Sequence, residues 1–156
     1  MEIKTIGIAS DHAGFPMKQF VLQYLAKKGY KVKDFGTDSI ESVDYPDFAH
    51  KLGQAIERHE VYPGIAICGT GEGMAITLNK YPDIRAGLAW NEEIAHLIRQ
   101  HNDANVLVLP GRFISLMTAE RILDTFFAVP FDGGRHERRI EKIPIHNCCK
   151  GQNPFF

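Results

Sequence analysis

The sequence predicts an α/β protein built on a five-stranded parallel sheet with helices on both faces. Two observations carry that expectation. Five short apolar runs alternate with longer stretches of helical periodicity, which implies βαβ crossovers. The central run, Gly64-Ile65-Ala66-Ile67-Cys68, is nearly all apolar, as suits a strand covered on both sides. Composition agrees with this. A chain of 156 residues, 44% hydrophobic and 24% charged, fits one globular domain and excludes disordered, collagen-like and coiled-coil chains.

The elements follow in order. The first strand is expected over residues 3–9 and the first helix over 15–28, with Phe20, Val21, Tyr24 and Leu25 on one face. Gly29 is placed to cap that helix at its C-terminus. A second strand over 30–35 ends in the turn chemistry of Gly36-Thr37-Asp38-Ser39, and a helix over 46–59 starts at Pro46. The central strand over 64–68 runs into Gly69-Thr70-Gly71-Glu72-Gly73 and then a helix over 74–80. Strands over 84–89 and 106–109 bracket a helix over 92–100, and a last helix covers 115–127. The stretch from about 130 to 156 differs in character, Gly- and Arg-rich and then irregular, and is expected either to fray or to pack on a partner subunit.

Charge excludes several function classes. Eighteen basic residues against nineteen acidic ones leave a net charge of −1, so no basic field draws the chain to nucleic acid or to anionic membranes. No run of apolar residues is long enough to span a bilayer, and the first residues lack a signal-peptide pattern. Three cysteines make no disulfide framework and suit a reducing compartment. The expectation is a soluble, cytoplasmic protein.

Ligands of open parallel sheets bind outside the carboxyl ends of the strands, so the residues that follow each strand are the candidates. The first strand is followed by Ser10, Asp11, His12, Ala13 and Gly14. The third ends in Cys68 and the loop Gly69, Thr70, Gly71, Glu72, Gly73, whose backbone N–H groups open a helix. Asn91 follows the fourth strand, and Pro110, Gly111 and Arg112 the fifth. The glycine loop is not a Walker loop, lacking Gly-Lys-Ser/Thr, nor a dinucleotide fingerprint, which belongs after the first strand. It serves either as an anion cradle or simply as a tight turn. Cys68 reads equally as a small buried hydrophobe or as a thiol activated by the loop and a nearby histidine, His12 or His101. His101 precedes the fifth strand, so only the tertiary fold can say whether it shares a rim with Cys68. Arg135 and Arg139 lie four apart and would share one face of a helix, a grip for a single phosphate. No paired metal-ligand spacing occurs, and His146, Cys148 and Cys149 are the nearest imitation, so no metal is expected.

Several of these segments together resemble one family. Ser10-Asp11-His12-Ala13-Gly14, Asp44-Tyr45-Pro46-Asp47, Ile67-Cys68-Gly69-Thr70-Gly71, Gly73-Met74, Asn79-Lys80, His101-Asn102-Asp103-Ala104-Asn105-Val106-Leu107 and Gly133-Gly134-Arg135-His136 occur in order. Across residues 3–145 they resemble the ribose-5-phosphate isomerase B family, which includes galactose-6-phosphate and allose-6-phosphate isomerases. The resemblance implies a Rossmann-like three-layer α/β/α sandwich. It also implies a homodimer, a tetramer in some members, with active sites built across the subunit interface. The implied reaction is the cofactor-free interconversion of ribose 5-phosphate and ribulose 5-phosphate, a step of the pentose phosphate pathway.

By that resemblance Cys68 is the base that takes the carbon-bound proton, and His101, helped by Asp11, opens the sugar ring. Thr70 and the amides of Gly69, Gly71, Glu72 and Gly73 hold the oxyanion. His12, Arg112, Arg135 and Arg139 grip the phosphate, the last two serving the neighbouring subunit, and Asn102 contacts a sugar hydroxyl. Some members lack the cysteine and carry an acidic base farther along the loop, where this chain has Met74. Glu72 is the nearest carboxylate and is expected to face solvent. The alternatives are the same chemistry on allose 6-phosphate or galactose 6-phosphate, and a non-catalytic sugar-phosphate-binding module. A module of that kind would be expected to lose Cys68 or His101, and both are present.

Overall fold

A computed structural model describes residues 3–145 of the chain. Five strands form one sheet in the order β2-β1-β3-β5-β4, every neighbouring pair parallel. They are β1 (Ile6–Ser10), β2 (Val32–Asp34), β3 (Gly64–Cys68), β4 (Ala86–Leu88) and β5 (Val106–Pro110). The three central strands β1, β3 and β5 are buried at every position, as uninterrupted apolar runs require. The edge strands β2 and β4 span three residues each, shorter than their sequence pattern suggests. Residues 3–5 also fall outside β1, because Lys4 and Thr5 bond to the backbone of Tyr62 instead.

Side-chain alternation divides the core in two. Ile6, Ile8, Ile65, Ile67, Leu107 and Leu109 face α1 (Phe15–Lys27), α4 (Glu92–Gln100) and α5 (Leu116–Ala128). Ala9, Ala66, Cys68, Val106 and Val108 face α2 (Tyr45–Glu57) and α3 (Glu72–Leu78). Large residues on the first face and smaller ones on the second let α2 and α3 lie close to the strands. The result is the three-layer α/β/α sandwich. Among the described residues no helix is long and apolar enough to cross a membrane.

Local chemistry sets the helix ends. At the end of α1, Gly29 takes φ +80, with Gly29 N–H donating to Ala26 O and Tyr30 N–H to Leu25 O, the Schellman pattern. Helix α1 buries Met17 and Lys18 besides Val21, Tyr24 and Leu25, while Phe20 is only half-buried. Lys18 is fully buried; its Nζ donates to both Asp34 carboxylate oxygens at 2.7 and 2.9 Å and to the Thr37 carbonyl, tying α1 to the end of β2. Helix α3 begins at Glu72, so the last two residues of the glycine loop form its first turn rather than preceding it. Beyond α5 the chain turns through Gly133 and Gly134, both at positive φ, into a short helix α6 (Arg135–Ile140). This stretch is therefore ordered through a helix before the described residues end, and Cys148 and Cys149 lie outside them.

From β1 the chain passes to β2 on one side and then to β3 on the other. The carboxyl ends of β1 and β3 thus flank the crevice where such sheets take ligands.

Candidate active site

At that crevice the loop after β1 packs directly on the end of β3. A Cβ on Gly14 would stand 2.4 Å from the Ile67 carbonyl oxygen and 3.0 Å from Cys68 Cα, so only glycine fits there. The buried Asp11 carboxylate accepts the Gly14 N–H at 2.8 Å, which pins its side chain over this corner. Cys68 is 4% exposed and free, on the α2–α3 face of the sheet. His12 accepts the Val43 N–H at Nδ1, 3.2 Å away, so the neutral imidazole carries its proton on Nε2 and presents a donor outward.

The glycine loop completes this rim. Gly71 holds φ +81, and a Cβ there would lie 2.3 Å from Leu88 Cδ1. Exposed Thr70 accepts the Glu72 N–H at Oγ1, 3.3 Å, and Glu72 itself is exposed. Met74 is buried in the core, so no acidic side chain takes that position. The loop after β5 is laced to it: Gly111 N–H donates to Cys68 O at 2.9 Å and Arg112 N–H to Gly69 O at 3.0 Å. The Arg112 side chain runs along Gly69 and the Tyr45 ring lies over Gly73. Beside the loop, Thr70, Glu72, Leu88, Trp90, Pro110 and Phe113 line a cavity of about 350 Å³. A groove of about 830 Å³ between α4 and α5 includes Asn91 in its lining but none of the residues assigned a role by the family resemblance.

The remaining candidates sit elsewhere. His101 caps the C-terminus of α4, and Asn102 follows it, before β5 begins. Cys68 pairs with Pro110 at the far end of β5. The two groups are therefore separated by the length of β5, roughly 15 Å at about 3.3 Å per residue. Helix α6 belongs to the His101 end. Asp132 N–H donates to Gln100 O, and the His136 ring stacks on His101 at 4.4 Å between centroids and 9° between planes. Desolvation beside His101, Arg135 and Arg139 holds the His136 imidazole below its ordinary pKa. Arg135 and Arg139 are exposed on that helix. The candidate residues thus fall into two groups: Asp11, His12, Cys68, Thr70 and Arg112 at one rim, and His101, Asn102, Arg135 and Arg139 at the other. Among the described residues no group of three His, Cys, Asp or Glu could hold a metal ion, and His146, Cys148 and Cys149 lie outside them.

The motifs that carry these two sets of residues are spread through most of the chain. A family model described as ribose/galactose isomerase matches residues 6–143. The chain belongs to the ribose/galactose isomerase family. Ribose-5-phosphate isomerase B of Escherichia coli is 41% identical over 141 residues, covering 90% of this chain and 95% of that protein. The crystal structure of a ribose 5-phosphate isomerase from Thermotoga maritima is 54% identical with a TM-score of 0.89, covering 92% of this chain and 99% of that one. The ribose-5-phosphate isomerase B of Mycoplasma genitalium with bound ribulose-5-phosphate is 39% identical, with a TM-score of 0.85 and coverage of 95% and 97%.

Several residues in the segments that carry the family resemblance turn out to hold the fold rather than face the crevice. Asn79 accepts from the Ala86 N–H and donates to its carbonyl, both at 2.9 Å, acting as a strand partner for the edge of β4. Asn105 accepts the Arg85 N–H at 2.8 Å and donates to Asp83 O at 2.7 Å. Asn91, a candidate from its place after β4, is the N-cap of α4, taking the Ile94 N–H at 2.8 Å. Conversely, sequence reasoning gave no role to Tyr45 or His136, which touch the glycine loop and His101. The signal was present, since both lie inside those segments.

Proposed function

We propose that the chain interconverts ribose 5-phosphate and ribulose 5-phosphate through an enediolate, with no metal or organic cofactor, in sites that a second copy completes. The observation that carries this reading is Cys68, buried at the end of β3 with an amide-rich loop directly after it. A thiolate there takes the proton from C2 of the open-chain aldose. The electron pair moves into the C1–C2 bond and charge collects on O1, opposite the Thr70 hydroxyl and the amides of Gly69 to Gly73. O1 is protonated, O2 gives up its proton, and the thiol returns its own to C1, leaving the ketose. His101 with Asp11 exchanges the protons that open the ring. His12, Arg112, Arg135 and Arg139 hold the phosphate, Arg through forked guanidinium bonds, and Asn102 meets a sugar hydroxyl.

The partner is a second copy because the two half-sites cannot meet within one chain. A two-fold arrangement that sets the His101 rim of one copy on the Cys68 rim of the other completes two sites at once. Trp90, Phe113, Leu116 and Met117 support it, exposing 53%, 73%, 51% and 64% of their surfaces next to the Cys68 rim. In this reading α6 packs on the partner, and the expectation for the residues after 145 lies outside the described residues. A buried free thiol as base suits the reducing cytoplasm.

The test is an isomerisation assay after chelator treatment, with ribose 5-phosphate, allose 6-phosphate and galactose 6-phosphate. Turnover of ribose 5-phosphate that survives chelation is expected. Turnover of a hexose phosphate alone would change the substrate, and binding without turnover of any would replace the enzyme by a binding module.

A further inference from the structure

Asp103 is the most unusual residue near His101. It holds φ +45, a left-handed conformation that non-glycine residues seldom adopt. Two arginines hold its carboxylate. Arg99, 1% exposed, donates from Nη1 to Asp103 Oδ1 at 2.8 Å and to the Ala104 carbonyl at 2.7 Å. Arg85 donates from Nη2 to Asp103 Oδ2 at 3.0 Å. Arg85 Nε meets the carbonyls of Asn102 and Asp103, each at 3.0 Å. Every carbonyl of the turn from Asn102 to Ala104 therefore faces a guanidinium, and both carboxylate oxygens are engaged. The carboxylate is thus committed to two guanidinium partners. Its place two residues after His101 gives that commitment a use.

We infer that Asp103, clamped by Arg85 and Arg99, is the positioning residue of the ring-opening half-site, fixing the turn that presents His101 and Asn102 to the sugar. This rests on the assignment of ring opening to His101. The sheet side of the turn is set by the clamp and the α6 side by the His136 stack, so His101 is held from two directions. Backbone conformations of this kind persist where surrounding contacts over-determine them, and they cluster at functional sites. Misplacing a reacting group by an ångström is enough to slow a step sharply.

Ring opening can be separated from proton transfer with an acyclic aldose. In erythrose 4-phosphate the 4-oxygen is esterified, so no five-membered ring exists to be opened, yet its C1 and C2 undergo the same isomerisation. Asp103→Ala is expected to lower kcat/KM on ribose 5-phosphate roughly 10- to 100-fold while changing turnover of erythrose 4-phosphate by less than about threefold. Asp103→Asn tolerates positive φ and keeps an acceptor for Arg99, so it is expected to recover most of the loss. Arg85→Gln carries the same comparison should Asp103→Ala fail to fold. Equal losses on both sugars, or no loss on either, would overturn the clamp's role while leaving the isomerase reading intact. Failure of the unaltered enzyme to turn over ribose 5-phosphate would overturn that reading, and this inference with it.

Discussion

In the proposed reaction a single sulfur, that of Cys68, 4% exposed and wedged between the Asp11 loop and the glycine loop, moves the proton. Cys68→Ala removes the base without opening a large cavity, so the fold should persist while kcat falls by about 10³-fold or more. Thermal melting beside the activity assay checks both, and activity near the unaltered value would remove Cys68 from the mechanism. Arg139 is exposed on α6, and in the proposed site its guanidinium holds the phosphate. Arg139→Ala should raise KM about tenfold, the loss of one charged hydrogen bond, with kcat little changed. An unchanged KM would deny it the phosphate. His136 makes a prediction about pH. Its folded pKa lies below its unfolded value, chiefly through desolvation. The unfolded chain therefore binds this proton first, and the stability His136 contributes is present above about pH 6.5 and is lost as pH falls through its folded pKa. Melting temperatures measured from pH 7.5 to 5 should fall less steeply in His136→Phe, which keeps a ring against His101. Identical slopes would show that His136 does not contribute.

The elements place these residues, and the glycine loop is the most constrained of them. Gly71→Ala introduces a side chain at φ +81, a cost of about 1–2 kcal/mol, and drives it into Leu88. The melting temperature should drop by several degrees at roughly 2–4 °C per kcal/mol, and kcat should fall with it as the loop amides shift. A variant with full activity and an unshifted melt would contradict the assigned loop geometry. This loop, and the Cys68 rim as a whole, was legible in the sequence, because strand-end residues of a parallel sheet share one rim and the strand pattern fixed which residues those were. Residues 64–68 and 92–100 match the structure to the residue. The misjudged boundaries have local causes. Tyr62 takes the backbone of Lys4 and Thr5, and Gly71 starts α3 two residues early. Lys18 shows another limit, since periodicity marks a helix face but not an ammonium buried on it against Asp34. Helix α6 is six residues long, too short for periodicity to announce, and only the spacing of Arg135 and Arg139 hinted at it. The His101 half-site was beyond residue-level reading. Its position before β5 left its rim undecided, and only the family resemblance joined it to Cys68.

For the whole molecule the consequence of the proposed roles is that a single chain holds two incomplete sites at opposite ends of its sheet. The sandwich is rigid, with β1, β3 and β5 buried at every position, so no bending brings His101 to its own Cys68. In the proposed dimer catalysis requires two copies, so dilution below the dimer dissociation constant should abolish specific activity. The most direct test mixes two inactive variants, Cys68→Ala and His101→Asn, unfolds them together and refolds them. In a mixed dimer one site carries both substitutions and the other carries neither. Half the dimers are mixed at equal input, and each has one native site of two, so activity should return to about a quarter of the unaltered enzyme. Mixtures as inactive as their parents would place Cys68 and His101 in the same chain's site and contradict the account.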